Sequence, residues 1–102
     1  MHAHNVYFAL NDQAQEKIDA LVAGCKKYLS GTPGIESFAV GVLDAELKRP
    51  VNDTGFQVSL HMMFVDRSAH DEYQTSATHQ EFIRVHQANW DFVRVFDSTI
   101  SE

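Results

Sequence analysis

Two faces alternate from His2 to Leu10, with His2, His4, Val6, Phe8 and Leu10 on one side and Ala3, Asn5, Tyr7 and Ala9 on the other. A period of two in aromatic and β-branched residues predicts a strand. The rhythm then changes. Ala14, Ile18, Leu21, Val22, Cys25 and Leu29 recur at helical spacing, and Asp12 with Gln15 reads as a capping box, which predicts an amphipathic helix over 12–30. Gly31, Pro33 and Gly34 stop it. Alternation returns from Ile35 to Leu43, setting Phe38, Val40 and Val42 against Ala39, Gly41 and Leu43, and Gly41 marks a bulge or a close backbone approach. Residues 44–54 are polar, contain Pro50 and read as a loop. A third strand is predicted from Phe56 to Val65, with Phe56, Val58, Leu60, Met62 and Phe64 on one face. Its other face (Gln57, Ser59, His61, Met63, Val65) is only half polar.

Ser68 with Asp71 has the capping-box spacing and predicts a short helix to about Tyr73, with His70 exposed in its first turn. His79, Phe82, Ile83, His86 and Trp90 form one stripe and predict a helix over 78–90. Phe92, Arg94 and Phe96 alternate with Val93, Val95 and Asp97 in a closing strand. The resulting order, β-α-β-β-α-β, is the ferredoxin-like α+β arrangement, with helices on one face of a four-stranded sheet. The helix-free face would carry Ala39, Leu43, Met63 and Val65. That face is too apolar for water, so a homodimer stacking two such sheets into a barrel is expected, burying roughly 1,500 Å² or more.

At 102 residues the chain has the length of one domain, taken here as 1–102. Its 8 Lys and Arg against 14 Asp and Glu give a net charge of −6, which argues against a nucleic-acid partner. No apolar run approaches the roughly 20 residues of a membrane span, and the first residues, MHAHNVYFAL, lack the features of a secretory signal. Cys25 is the one cysteine, so neither an intrachain disulfide nor a CxxC site can form, and a reduced cytoplasmic setting is expected.

Six histidines bring metal binding into consideration. His2 and His4 share a strand face, but no acidic residue or third histidine stands at a companion spacing and HExxH is absent. His2 reads as a frayed, solvent-facing end, His61 as a hydrogen-bonded residue of the dimer face, and neither metal nor cofactor is expected. Cys25 lies on an apolar stripe and reads as packing; GxSxG elbows and Gly-rich phosphate loops are absent. The pair that stands out is Tyr73 and His79, at the end of one helix and the start of the next. On an apolar stripe such a histidine ordinarily reads as a satisfied core residue; the functional reading is that the helix dipole holds the imidazole neutral and that, beside a phenol, it forms an acid–base pair. Opposite them, His4, Val6 and Phe8 with Val58 and Leu60, and Phe82 on the helix stripe, would wall a mostly apolar ligand cavity.

Five pieces of the chain belong together: His4 opening its strand, Pro33-Gly34-Ile35 before Phe38-Ala39-Val40-Gly41, Phe56-Gln57-Val58-Ser59-Leu60, Asp71 through His79, and Val93-Arg94-Val95-Phe96-Asp97. In this order they resemble the stress-responsive A/B barrel (Dabb) family. The resemblance covers nearly the whole chain and implies a ferredoxin-like homodimer. One plant member of the family closes a linear polyketide without a cofactor; its acid–base tyrosine and histidine match Tyr73 and His79, and a pocket histidine matches His4. The chain departs from it at Val58 and Cys25, where that member has a pocket histidine and tyrosine, and at Ser76-Ala77, where the family often has His-Pro. The resemblance leaves the specific role undetermined, and with the apolar cavity read from the residues it gives the expectation of a homodimer that binds a small apolar or aromatic molecule between helices and sheet. The alternative is a cofactor-independent cyclase, lyase or small monooxygenase using His79 as base and Tyr73 as acid.

Overall fold

The computed structural model describes residues 1–102, with elements β1 (His2–Leu10), α1 (Gln15–Leu29), β2 (Ile35–Val42), β3 (Val58–Phe64), α2 (Arg67–Gln74), α3 (Ala77–His86) and β4 (Trp90–Thr99). All pairings are antiparallel and the strand order is β2-β3-β1-β4. This is the ferredoxin-like α+β fold. Register joins the faces across the sheet: Val58 stands opposite Phe8 and Phe8 opposite Val93, while Met62 stands opposite His4 and His4 opposite Asp97. The face so formed is covered by α1 and α3, which pack together. Between them lies one core built on Phe8, Leu21, Cys25, Leu29, Leu60, Met62, Phe64 and Phe82. Each such side chain contributes roughly 1.5–3 kcal/mol on leaving water. No helix is long and apolar enough to cross a membrane.

The element ends differ from the sequence reading in instructive ways. Asp12 does not cap α1: its Oδ1 accepts from the Ala14 amide at 3.0 Å, and Ala14 is the N-cap. Asp66, not Ser68, caps α2, accepting from the Ala69 amide at 2.8 Å. Phe56 precedes β3 and turns to the opposite face, its ring 4.9 Å from that of Tyr7. Gly41 sits in regular pairing opposite Ser59, and the register shift falls between Ile35 and Ser37 instead.

The second long helix ends at His86, followed by a 3₁₀ turn at Gln87–Asn89, and Trp90 opens β4 rather than closing a helix. Long-range bonds cause this. The Asn89 carbonyl accepts from the Asn11 amide at 2.9 Å, its side-chain Oδ1 accepts from the Asp12 amide at 2.8 Å, and its Nδ2 donates to the Asp12 carbonyl at 3.0 Å. Asn89 is thereby pinned beside the end of β1, and the chain leaves it as a strand. Trp90 still reaches the helix-covered face, with ring centroids 5.0 Å from Phe8 and 5.6 Å from Phe82.

Candidate functional site

Ser76 caps α3 by accepting from the His79 amide at 3.2 Å, which fixes His79 in the first turn. Tyr73 ends the buried side of α2, and its ring lies 4.5 Å from that of His79. The His79 Nδ1–H donates to the Gln74 carbonyl at 3.1 Å, which leaves Nε2 with its lone pair. Burial pulls the His79 pKa below the ordinary histidine value, with His4 and His70 adding to the effect against the bond to Gln74. Burial pushes the Tyr73 phenol upward, so it stays protonated. A neutral base and a protonated acid therefore sit side by side, the division of roles that general acid–base chemistry requires.

Both side chains line a cavity of about 440 Å³ between α2, α3 and the sheet. His4, Val6 and Phe8 from β1, Leu60 from β3 and Phe82 from α3 line it as well. Val58 does not. It is fully buried in the core, and Phe8 stands between it and β4 in the register. The far wall is β4, through Trp90, Val93, Val95 and Asp97. Trp90 Nε1 is a buried donor with no partner.

One end of the cavity holds a cluster that the sequence reading missed. His4 Nδ1–H donates to Asp97 Oδ1 at 2.7 Å, His2 Nε2 lies 2.9 Å from the same oxygen and His70 Nε2 3.5 Å from it. His2 and His70 are buried, not the frayed end and exposed first-turn residue expected of them. Burial pulls the His4 pKa down and outweighs the pull of Asp97. Burial alone would raise the Asp97 carboxyl, yet bonds from His4 and His2 hold it below the ordinary carboxylate value. Two signals were in the chain: Asp97 shares its strand face with Val93 and Val95, and His70 lies one helical turn before Tyr73.

The opposite face of the sheet carries no helix. His61 lies there, bonded to Asn5 Oδ1 at 2.8 Å and Ser59 Oγ at 3.0 Å. A second depression of about 530 Å³ lies on this face, between the sheet and the segment after β2, with Tyr7, Phe56, Arg94 and Phe96 in its wall. Phe92 is 56% exposed and Phe96 52%.

The sequence matches the family described as the stress responsive A/B barrel domain (Dabb) over residues 3–100. The chain belongs to the Dabb family. Its fold is shared with a solved Arabidopsis thaliana protein at 20% identity and TM-score 0.82, covering 100% of this chain and 97% of that one. A Dabb protein of Mesorhizobium loti with a ferredoxin-like fold is 20% identical, TM-score 0.80, covering 99% and 97%. The hydroxynitrile lyase of Passiflora edulis is 19% identical, TM-score 0.78, covering 99% and 94%. Other neighbours of the Dabb chain are described as dimeric ferredoxin-like proteins of unknown function. No curated protein matches the sequence.

Proposed function

We propose that this Dabb protein is a homodimer that binds a small apolar or aromatic molecule in the cavity between α2, α3 and the sheet. The observation that carries the reading is the cavity itself: about 440 Å³, walled by Val6, Phe8, Leu60 and Phe82, with His4, Tyr73 and His79 converging on it. Apolar walls with a few placed polar groups are the usual make-up of a small-ligand site. The partnerless Trp90 Nε1 adds a donor. Val95, about half exposed, marks the opening on the β4 side. Dimerisation is supported by the exposed Phe92 and Phe96 on the helix-free face and by the dimeric neighbours.

The test is a thermal-shift screen of aromatic and polyketide-like carboxylic acids against the wild type and Val95→Trp, which fills the opening at a tolerant position. Ligands should raise the wild-type melting temperature and leave that of Val95→Trp unmoved. Equal shifts in both proteins, or none in the wild type, overturn the reading. Light scattering returning an 11.5 kDa particle at micromolar concentration overturns the dimer.

A specific observation also favours a second reading, cofactor-independent catalysis. Tethering Nδ1 to Gln74 leaves His79 Nε2 free to take a proton, while the Tyr73 phenol is held protonated to give one. This division suits cyclases, lyases and small monooxygenases that work on a carbon acid, and one fold neighbour is a hydroxynitrile lyase. Turnover of a cyanohydrin or a linear polyketide that is lost in both Tyr73→Phe and His79→Ala supports it. Turnover that survives both removes it.

A further inference from the structure

We propose that His2, His70 and Asp97 form a binding site for a late first-row divalent cation, of which zinc is the representative, at one end of the cavity. The proposal stands apart from the small-molecule reading, since it needs no organic ligand.

Geometry comes first. The donor atoms of the three side chains lie within 4.8 Å of one another, with Asp97 Oδ1 at 2.9 Å from His2 Nε2 and 3.5 Å from His70 Nε2. Donors held about 2.0–2.1 Å from a tetrahedral ion lie roughly 3.4 Å apart, so the set closes with a small opening of the His2–Asp97 contact once the His2 proton passes from Nε2 to Nδ1 and the ion replaces it against Asp97. The imidazoles are already ordered, with side-chain exposures of 9% for His2 and 11% for His70. Asp97 is 40% exposed, which gives an ion a route in. Its second oxygen, Oδ2, takes no protein hydrogen bond.

Orientation points the same way. Asp71 Oδ1 lies 3.0 Å from His70 Nδ1 and is itself held by Arg67 Nε at 2.8 Å. A carboxylate accepting from Nδ1–H places the His70 lone pair on Nε2, the atom facing Asp97. Carboxylates behind metal-binding histidines set ligand orientation in this manner. Without a cation or an extra proton, that lone pair and the Asp97 oxygen repel each other across 3.5 Å; Gln74 Nε2, at 3.4 Å from His70 Nε2, is too distant to offset this well. Two imidazoles and a carboxylate select zinc, cobalt, nickel or copper over magnesium or calcium. Three protein ligands leave a fourth position open, as in catalytic rather than structural zinc sites.

The experiment uses the untagged full chain, titrated calorimetrically with zinc chloride and spectroscopically with cobalt(II). The expected result is one ion per chain, with visible d–d bands for cobalt. Affinity should fall about tenfold or more in His70→Ala and Asp97→Asn and about tenfold in Asp71→Asn, while His61→Ala stays unchanged. Both His70 and Asp97 are far in sequence from the His2-Ala3-His4 segment, so their loss separates a folded site from capture by that segment alone. Because His70→Ala or Asp97→Asn can unfold, the wild type is also followed by imidazole ¹⁵N NMR, where zinc should shift His2 and His70 and leave His61 and His86 in place. Wild-type protein with no stoichiometric ion, folded variants binding as tightly as wild type, or zinc shifts confined to other histidines each overturn the site and leave a proton-bridged cluster.

Discussion

Replacing His79 with alanine separates a ligand-site histidine from a core histidine, and the structure sets the size of the effect. The ring makes one hydrogen bond, from Nδ1 to the Gln74 carbonyl, whose net worth is about 0.5–1.5 kcal/mol. Its contact with Tyr73 at 4.5 Å adds up to about 1 kcal/mol. Alanine returns roughly half a kcal/mol through its higher helix propensity, and the Ser76 cap survives because it binds the backbone amide of residue 79. The ring borders an existing cavity, so its removal enlarges an opening rather than creating a sealed void. His79→Ala should therefore cost about 1 kcal/mol and at most about 2 kcal/mol, or on the order of 5–10 °C in melting temperature for a domain of this size. Phe82→Ala, fully buried on the same helix, should cost about 3–5 kcal/mol. Urea unfolding followed by circular dichroism gives both values, and parallel melts with aromatic acids show whether ligand stabilisation disappears with His79. A loss of 3 kcal/mol or more for His79→Ala, with ligand shifts unchanged, refutes the reasoning and makes the ring part of the core.

Trp90→Ala should cost about 3 kcal/mol, whereas Trp90→Phe should stay within about 1 kcal/mol of wild type because it removes the unpartnered Nε1; equal losses in chemical unfolding would show that the indole nitrogen is satisfied. Gly34 has φ +83° and a Cβ there would lie 2.6 Å from Ala69 Cβ, so Gly34→Ala should lose about 1–3 kcal/mol in the same assay, and a neutral result would contradict that backbone path. Burial holds His4 and His79 below the ordinary value of 6.5, so the folded protein binds fewer protons than the unfolded chain once the pH falls past it. Stability should be full above that value and decline below it. Asp97, held below 3.8, extends the loss at lower pH, and a melting temperature that rises between pH 7 and pH 5 would refute this sign.

Local periodicity by itself determined the order and type of the strands and helices and most of their faces. The alternation from His2 to Leu10, the stripe from Ile18 to Leu29 and the alternation through Val93, Val95 and Asp97 each name a face, because side-chain direction follows from backbone geometry within a few residues. Tyr73 and His79 were legible for the same reason: six residues across one capped turn bring them together. Tertiary structure alone decided which faces meet and in what register. Val58 carries the right parity for the cavity wall, yet Phe8 screens it from β4. Trp90 keeps helical spacing with His86, yet bonds from Asn89 to Asn11 and Asp12, 77 residues away in the latter case, turn the chain into a strand there. The cluster on Asp97 is the extreme case. Its partners His2 and His4 lie 95 and 93 residues earlier, and His70 arrives on a separate helix. Spacing rules for metal ligands or catalytic sets apply within one element. They cannot register a site whose members become neighbours only when the two ends of the chain pair as adjacent strands.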